Sequence, residues 1–122
     1  MQRPIVETAR AGLMTKAKLF RGMADAARLS ILEALREGPL CVNEIVGRTG
    51  LSQPNVSGHL ACLRDCGLVE REQRGRFAYY RLAGDRVEAI LAEASALLTA
   101  VGQLIEVCPS YDEPGGGEAP RP

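Results

Sequence analysis

Cys62 and Cys66, four residues apart, are the first side chains in this sequence that could do chemistry. One helical turn would point both sulfurs the same way, and paired thiolates select soft ions such as Cd(II), Pb(II), Hg(II) and As(III). Alone the spacing is a weak signal, because cysteine is among the residues most often simply buried. A disulfide between the two is disfavoured, since a single turn holds the sulfurs in poor geometry. Cys41 suits a structural core position, with auxiliary ligation as the alternative, and Cys108 follows a long apolar stripe. A second set precedes the thiols: Ser52, Gln53, Asn55, Ser57 and His59, short or planar hydrogen-bonding residues. Gln and Asn can bond adenine edges bidentately, and Ser can approach base or backbone; the alternative is a solvated polar face. His59 is four after Asn55 and three before Cys62, so it shares a face with both; a helix histidine or a phosphate contact is the preferred reading over metal ligation. A third set is Arg74 and Arg76 around Gly75, suited to phosphate or minor-groove contact or else to a solvated tip. No Ser/His/Asp set, paired acidic cluster or phosphate-binding glycine loop accompanies them, so neither an enzyme nor an organic cofactor is expected.

These residues need elements to hold them. Ser52 is a good N-cap and Pro54 falls in the first turn of a helix, with Leu51 and Val56 at the two positions of a hydrophobic staple. Val56, Leu60 and Leu63 form its core stripe, and Gly67 suits the left-handed position past its end. Upstream, residues 5–22 have an amphipathic spacing (Leu13, Ala17, Phe20), frayed at the start. Asp25 offers a cap for a helix over Ala26–Glu37 that turns Leu29, Ile31, Leu32 and Leu35 inward and stops at Gly38-Pro39. A short helix near Asn43–Thr49, closed by Gly50, leads within three or four residues into the Ser52 helix, the signature of a helix-turn-helix. Two β-rich runs then flank Gln73-Arg74-Gly75-Arg76, predicting a hairpin placed as the wing of a winged helix; of Tyr79 and Tyr80, one should be core and the other partly exposed.

Asp85 is the expected cap of a last helix reaching about Val107. Along it Val87, Leu91, Ala94, Leu98, Val101, Ile105 and Cys108 step by four and three, a heptad-type stripe widened by Ile90, Leu97 and Leu104. A terminal helix so apolar needs a partner, and a two-fold dimer is the simplest; Val87, Leu91, Leu98, Val101 and Ile105 are its expected interface. The alternative is packing on its own domain. The fold expected is mainly α with a small β-hairpin: a winged helix-turn-helix, dimeric through terminal helices, over residues 1–108, with a disordered tail over 109–122.

At 122 residues and zero net charge the chain reads as one domain without an overall basic signature. Distribution matters more than the sum. Arg64, Arg71, Arg74, Arg76 and Arg81 outnumber Asp65, Glu70 and Glu72 in the wing region, while the tail after Leu104 is acidic. No run approaches the roughly 20 apolar residues needed to cross a bilayer, and no apolar block follows the N-terminal charges, so a cytoplasmic protein with no membrane partner is expected.

Leu40-Cys-Val-Asn-Glu-Ile, Gly50-Leu-Ser-Gln-Pro-Asn-Val-Ser-Gly-His-Leu60, Gly67-Leu-Val and Gly75-Arg-Phe-Ala-Tyr-Tyr-Arg-Leu together resemble ArsR/SmtB-type metal-responsive repressors over about residues 18–108. The stretch His59-Leu-Ala-Cys-Leu-Arg-Asp-Cys-Gly-Leu-Val69 is most similar to the CmtR-like cadmium- and lead-sensing branch. That resemblance implies a homodimeric repressor that binds double-stranded operator DNA and is released by Cd(II) or Pb(II), with As(III) or Hg(II) as alternative inducers. It also implies a three-thiolate site from Cys62 and Cys66 of one subunit and Cys108 of the other. The arsenic-type Cys-x-Cys pair is absent, since the corresponding stretch is Cys41-Val-Asn43, and the single histidine, His59, argues against the zinc-sensing type. A cysteine redox switch on the same fold is the other reading, and a thiol-dependent carrier or enzyme would leave the wing arginines without a use.

Overall fold

Asp25 begins the part of the chain that carries the site. Its backbone is extended and its carboxylate accepts the Arg28 backbone N–H at 3.0 Å, so the chain leaves the first helix, α1 (Ile5–Ala24), and immediately starts α2 (Ala26–Ala34). The structure, a computed structural model, describes residues 5–111, and α1 is already helical at Ile5, where a frayed start was expected. Ile31, Leu32 and Leu35 are buried as the periodicity requires, but Leu29 is 37% exposed. At 100° per residue Leu29 falls roughly 110° from the centre of that stripe, so an inward position was open to three of the four expected residues only. The helix tightens to a 3-10 turn over Leu35–Glu37 and ends at Gly38. In α1 the inward residues are Leu19 and Met23, while Leu13 and Phe20 of the expected stripe face outward.

A two-residue strand that local sequence gave no sign of, β1 (Leu40–Cys41), precedes α3 (Val42–Thr49). Glu44 reaches back to accept the Cys41 backbone N–H at 3.1 Å, half of a capping box. That bond, foremost, holds the Glu44 carboxyl below the usual carboxylate range. Thr49 donates its hydroxyl to the Ile45 carbonyl at 2.8 Å and accepts the Leu51 N–H at 3.3 Å. With Gly50 in the left-handed region at φ 74°, the chain turns into α4 (Gln53–Asp65). Ser52 Oγ accepts the Asn55 N–H at 3.3 Å, and Val56, Leu60 and Leu63 are fully buried. The far end closes by a Schellman motif: Leu68 N–H donates to the Leu63 carbonyl at 2.9 Å and Gly67 N–H to the Arg64 carbonyl at 3.0 Å, around Gly67 at φ 78°.

The hairpin follows as β2 (Val69–Arg74) and β3 (Phe77–Leu82), joined by Gly75-Arg76 with the positive φ on Gly75 that a two-residue turn wants at its first position. Because β1 pairs with β3 (Leu40 opposite Tyr80, Cys41 opposite Tyr79), the expected hairpin is part of a three-stranded antiparallel sheet ordered β1-β3-β2. Tyr80 packs on the core and Tyr79 lies on the other face; both are half-buried.

The last helix, α5 (Asp85–Glu106), is capped by Gly84, and Asp85 is its first helical residue. Asp85 still favours the helix, as an anion in the first turn. Val87 and Leu91, expected in a dimer seam, belong to the chain's own core. Beyond them the stripe is bare: Leu98 is 50% and Leu104 70% exposed, Leu97 and Ile105 are exposed, and Val101 is half-buried. By length and composition α5 is apolar enough to cross a membrane, contrary to the expectation that no run approaches that length. Counting contiguous apolar residues misses it because Glu93, Ser95, Thr99 and Gln103 interrupt a segment whose average is still strongly apolar. Within the expected tail Pro109–Tyr111 form a 3-10 turn, and the rest of it, 112–122, lies outside the described residues.

Candidate nucleic-acid interface and thiol pair

With Val56, Leu60 and Leu63 buried, the rest of α4 is presented outward. Gln53, Asn55 and Ser57 are exposed and His59 is half-buried. Ser52 is exposed too, but its oxygen is committed to the cap, which leaves the hydroxyl proton as what it can offer a phosphate or base. Asn55, His59, Cys62 and Cys66 fall within a sector of roughly 60° around the helix axis, next to the buried stripe. They form one ridge along α4; Ser57 and Arg64 occupy the opposite flank. Gly58 lies between the two flanks, exposed, and a Cβ built there would meet nothing. No contact among the described residues accounts for this glycine, although glycine inside a helix costs about 0.5–1 kcal/mol.

Both α4 thiols are exposed, whereas Cys41 and Cys108 are half-buried. The Cys66 N–H donates to the Cys62 carbonyl at 3.0 Å, so the last turn is intact and the two side chains stand on adjacent turns of one face, with Cβ atoms about 5–6 Å apart. That separation lets one large soft ion bridge both sulfurs. Among the described residues no three of His, Cys, Asp or Glu converge within a single chain, and Cys108, whose N–H donates to the Ile105 carbonyl at 3.2 Å, ends α5 apart from the pair. Cys41 stands at the start of α3 opposite Tyr79, a structural position.

The wing separates its two tip arginines. Arg76 is exposed at the turn and makes no ion pair among the described residues. Arg74 is folded back on the hairpin: its Nη2 lies 3.0 Å from Glu72 Oε2, and its guanidinium carbon is 5.2 Å from the centroid of the Tyr79 ring. Arg81 pairs with Glu70 at 2.9 Å and with the same Glu72 oxygen at 3.5 Å, which holds its guanidinium above its ordinary range, with the Glu70 hydrogen bond as the main cause. Sequence reading counted Glu72 only as a charge. The i,i+2 spacing of Glu72 and Arg74 on one strand, with Tyr79 directly opposite Glu72, was the available signal.

One further contact ties α5 to the end of α2. Arg36, in the 3-10 turn after α2, forks onto Glu88 through Nε–Oε2 at 3.0 Å and Nη2–Oε1 at 3.2 Å while also meeting Glu33 at 3.0 Å. Bidentate geometry of this kind fixes orientation more firmly than a single surface ion pair. The first two turns of α5 are thereby held by Val87 and Leu91 below and by Glu88 at the rim.

A family model described as "Bacterial regulatory protein, arsR family" matches residues 25–71, from the α2 cap into β2. A probable mercury resistance operon repressor of Streptomyces lividans is 36% identical over 104 residues, 85% of this chain and 82% of that protein. The transcriptional regulator CmtR of Mycobacterium tuberculosis is 40% identical over 85 residues, 70% of this chain and 72% of its own length. Among solved structures, the homodimeric winged helix-turn-helix DNA-binding domain of Mb0332 from Mycobacterium bovis, a possible ArsR-family regulator, superposes with a TM-score of 0.66 at 29% identity, covering 82% of this chain and 93% of that one. With helix-turn-helix, wing and sequence in agreement, the chain belongs to the ArsR family of bacterial transcriptional regulators, in the ArsR/SmtB group of metal-responsive repressors.

Proposed function

We propose that this protein represses transcription in the cytoplasm by binding double-stranded operator DNA as a homodimer, and that a thiophilic metal ion releases it. The observation that carries the reading is the ridge on α4: the exposed pair Cys62 and Cys66 continues the line of Asn55 and His59. An ion gripping the end of that ridge changes how the helix sits in a major groove, with no relay through the core. Metal need only bind the free dimer better than the DNA-bound one, and a coupling of about 1–3 kcal/mol per site is the usual scale.

Gln53, Asn55 and Ser57 read bases, while Ser52, His59 and Arg76 contact phosphates, with Arg74 joining them on binding. The bare part of α5, centred on Leu98, Val101 and Ile105, together with the outward face of α1 around Leu13 and Phe20, supplies the two-fold seam. The third thiolate is Cys108 of the other subunit, because the stripe leads to it and the pair on α4 has no third ligand among the described residues of its own chain. Three sulfurs suit Cd(II) or Pb(II), and also As(III) or Hg(II), better than Zn(II), which takes four ligands in closed sites. One named relative is a probable mercury resistance operon repressor; Cd(II) and Pb(II) are the first choice here on the resemblance of the α4 thiol stretch rather than on any relative's name.

The test titrates fully reduced protein with Cd(II), Pb(II), Hg(II), As(III) and Zn(II), following thiolate-to-metal absorption and operator binding together. Operator release that tracks thiolate absorption supports the reading. Release only after oxidation, with no effect of metal on the reduced dimer, would replace the metal sensor with a redox switch.

A further inference from the structure

The outer face of the wing holds a charge arrangement that DNA binding through the wing does not by itself require. Glu72 Oε2 accepts from Arg74 Nη2 at 3.0 Å and from Arg81 Nη1 at 3.5 Å, and Arg81 is anchored in turn on Glu70 at 2.9 Å. Arg74 is drawn over the ring of Tyr79, 5.2 Å from its centroid, across the strand pair. Both members of the Glu72–Arg74 pair are about half exposed, with side-chain exposures of 47% and 53%, so the contact can exchange with another anion arriving from solvent. The neighbouring Arg76, two residues on, has no such partner among the described residues.

We propose that Glu72 is an internal stand-in for a DNA phosphate. In the free dimer it holds Arg74 folded back on the wing, over Tyr79, and Arg81 keeps Glu72 in place. When the wing meets the duplex, a phosphate oxygen replaces the Glu72 carboxylate on the Arg74 guanidinium, and Arg81 retains Glu72. No bond is formed or broken covalently; one charge-assisted contact is exchanged for another. Arg76 makes the first encounter, and Arg74 adds its contact at the cost of separating an ion pair. Glu72 therefore attenuates binding to every sequence and leaves discrimination between operator and other DNA to α4. This inference rests on the wing being a DNA contact, and Arg76 provides the independent check of that reading.

The experiment measures the affinity of the full chain for operator and for random duplex in four proteins: wild type, Glu72→Gln, Arg74→Ala and the double variant. Arg76→Ala serves as the control for wing contact. Glu72→Gln should tighten binding to both duplexes alike, by about two- to five-fold more when Arg74 is present than in the Arg74→Ala background, the range expected for an exposed ion pair. The excess should shrink as salt rises. Equal gains in the two backgrounds mean simple repulsion between Glu72 and DNA, and overturn the proposal, as does no gain in either. A second readout does not depend on affinity: the Arg74 side-chain proton resonances, shifted by the Tyr79 ring in the free protein, should move toward unperturbed values when DNA is added. Retention of the ring shift in the complex contradicts the exchange. If Arg76→Ala and Arg74→Ala both leave DNA affinity and its salt dependence unchanged, the wing is not a DNA contact, and it is that reading which has failed.

Discussion

Helices α4 and α5 are built from similar apolar stripes and meet opposite fates. In α4, Val56, Leu60 and Leu63 are all taken into the core, both ends are capped, and what is left exposed is mostly polar. In α5 the same periodicity buries Val87 and Leu91 and then runs on into solvent from Leu97 to Ile105. A stripe that one domain can satisfy is as long as the domain it packs against; the surplus in α5 is what the proposed two-fold seam would cover. Leftover polar residues on α4 and leftover apolar residues on α5 thus point to different partners, DNA for the first and a second copy for the second.

Substitutions can break that comparison. Leu60→Ala should cost about 2–5 kcal/mol of folding stability, because it opens a cavity under the recognition helix; denaturant unfolding measures it directly. Leu98→Glu should leave the helical circular dichroism of the chain nearly unchanged and split the dimer. It removes about 1.5–3 kcal/mol of apolar burial per subunit and sets like charges against each other across the two-fold. Sedimentation decides this one: a variant that stays dimeric means that the seam lies elsewhere. Operator affinity should fall with the dimer, since two reading helices must reach half-sites about one helical turn apart.

Asn55→Ala should weaken operator binding by about 1–3 kcal/mol if it makes a bidentate base contact, while affinity for random duplex changes little. Gel-shift titrations on both duplexes separate base reading from a mere loss of polar surface. The smallest effect concerns pH. Glu44 is held below its ordinary range of roughly 4.3 by the Cys41 backbone N–H. A depressed carboxylate adds stability that is present above the unfolded value and is lost as pH falls through the folded one. Glu44→Gln should therefore flatten the acid limb of the stability curve below about pH 4.3, with little change near neutrality. Thermal unfolding across that range checks it; an unchanged acid limb would mean that the half capping box contributes nothing.

Local chemistry made much of α4 legible. The Ser52 cap, Pro54, the apolar stripe and Gly67 are each decided by residues within a turn of one another, and all of them stand where their side chains put them. What depended on distant partners was not legible. β1 is two residues long and exists only because Leu40 and Cys41 meet Tyr80 and Tyr79 of β3. Asp85 looked like a cap because aspartate favours both the cap and the first turn, and the positive φ of Gly84 settled which. Leu29 is apolar on a helix whose inward sector was already filled. At the candidate site the i,i+4 geometry of Cys62 and Cys66 was readable, whereas their exposure and the engagement of Arg74 by Glu72 were not. In the proposed site the relation of Cys108 to the pair is a property of two chains, which local spacing within one does not carry.

That relation is where the account is tested most directly. A heterodimer is assembled from a Cys62→Ser/Cys66→Ser chain and a Cys108→Ser chain, purified by two different tags and titrated under reducing conditions with Cd(II). It has one complete site formed across the subunits and none within either chain. The account predicts one bound ion per heterodimer with thiolate-to-metal absorption, and metal-dependent weakening of operator binding, while each homodimer of the two variant chains loses the response. A heterodimer that folds and binds operator but takes up no metal would contradict the shared site.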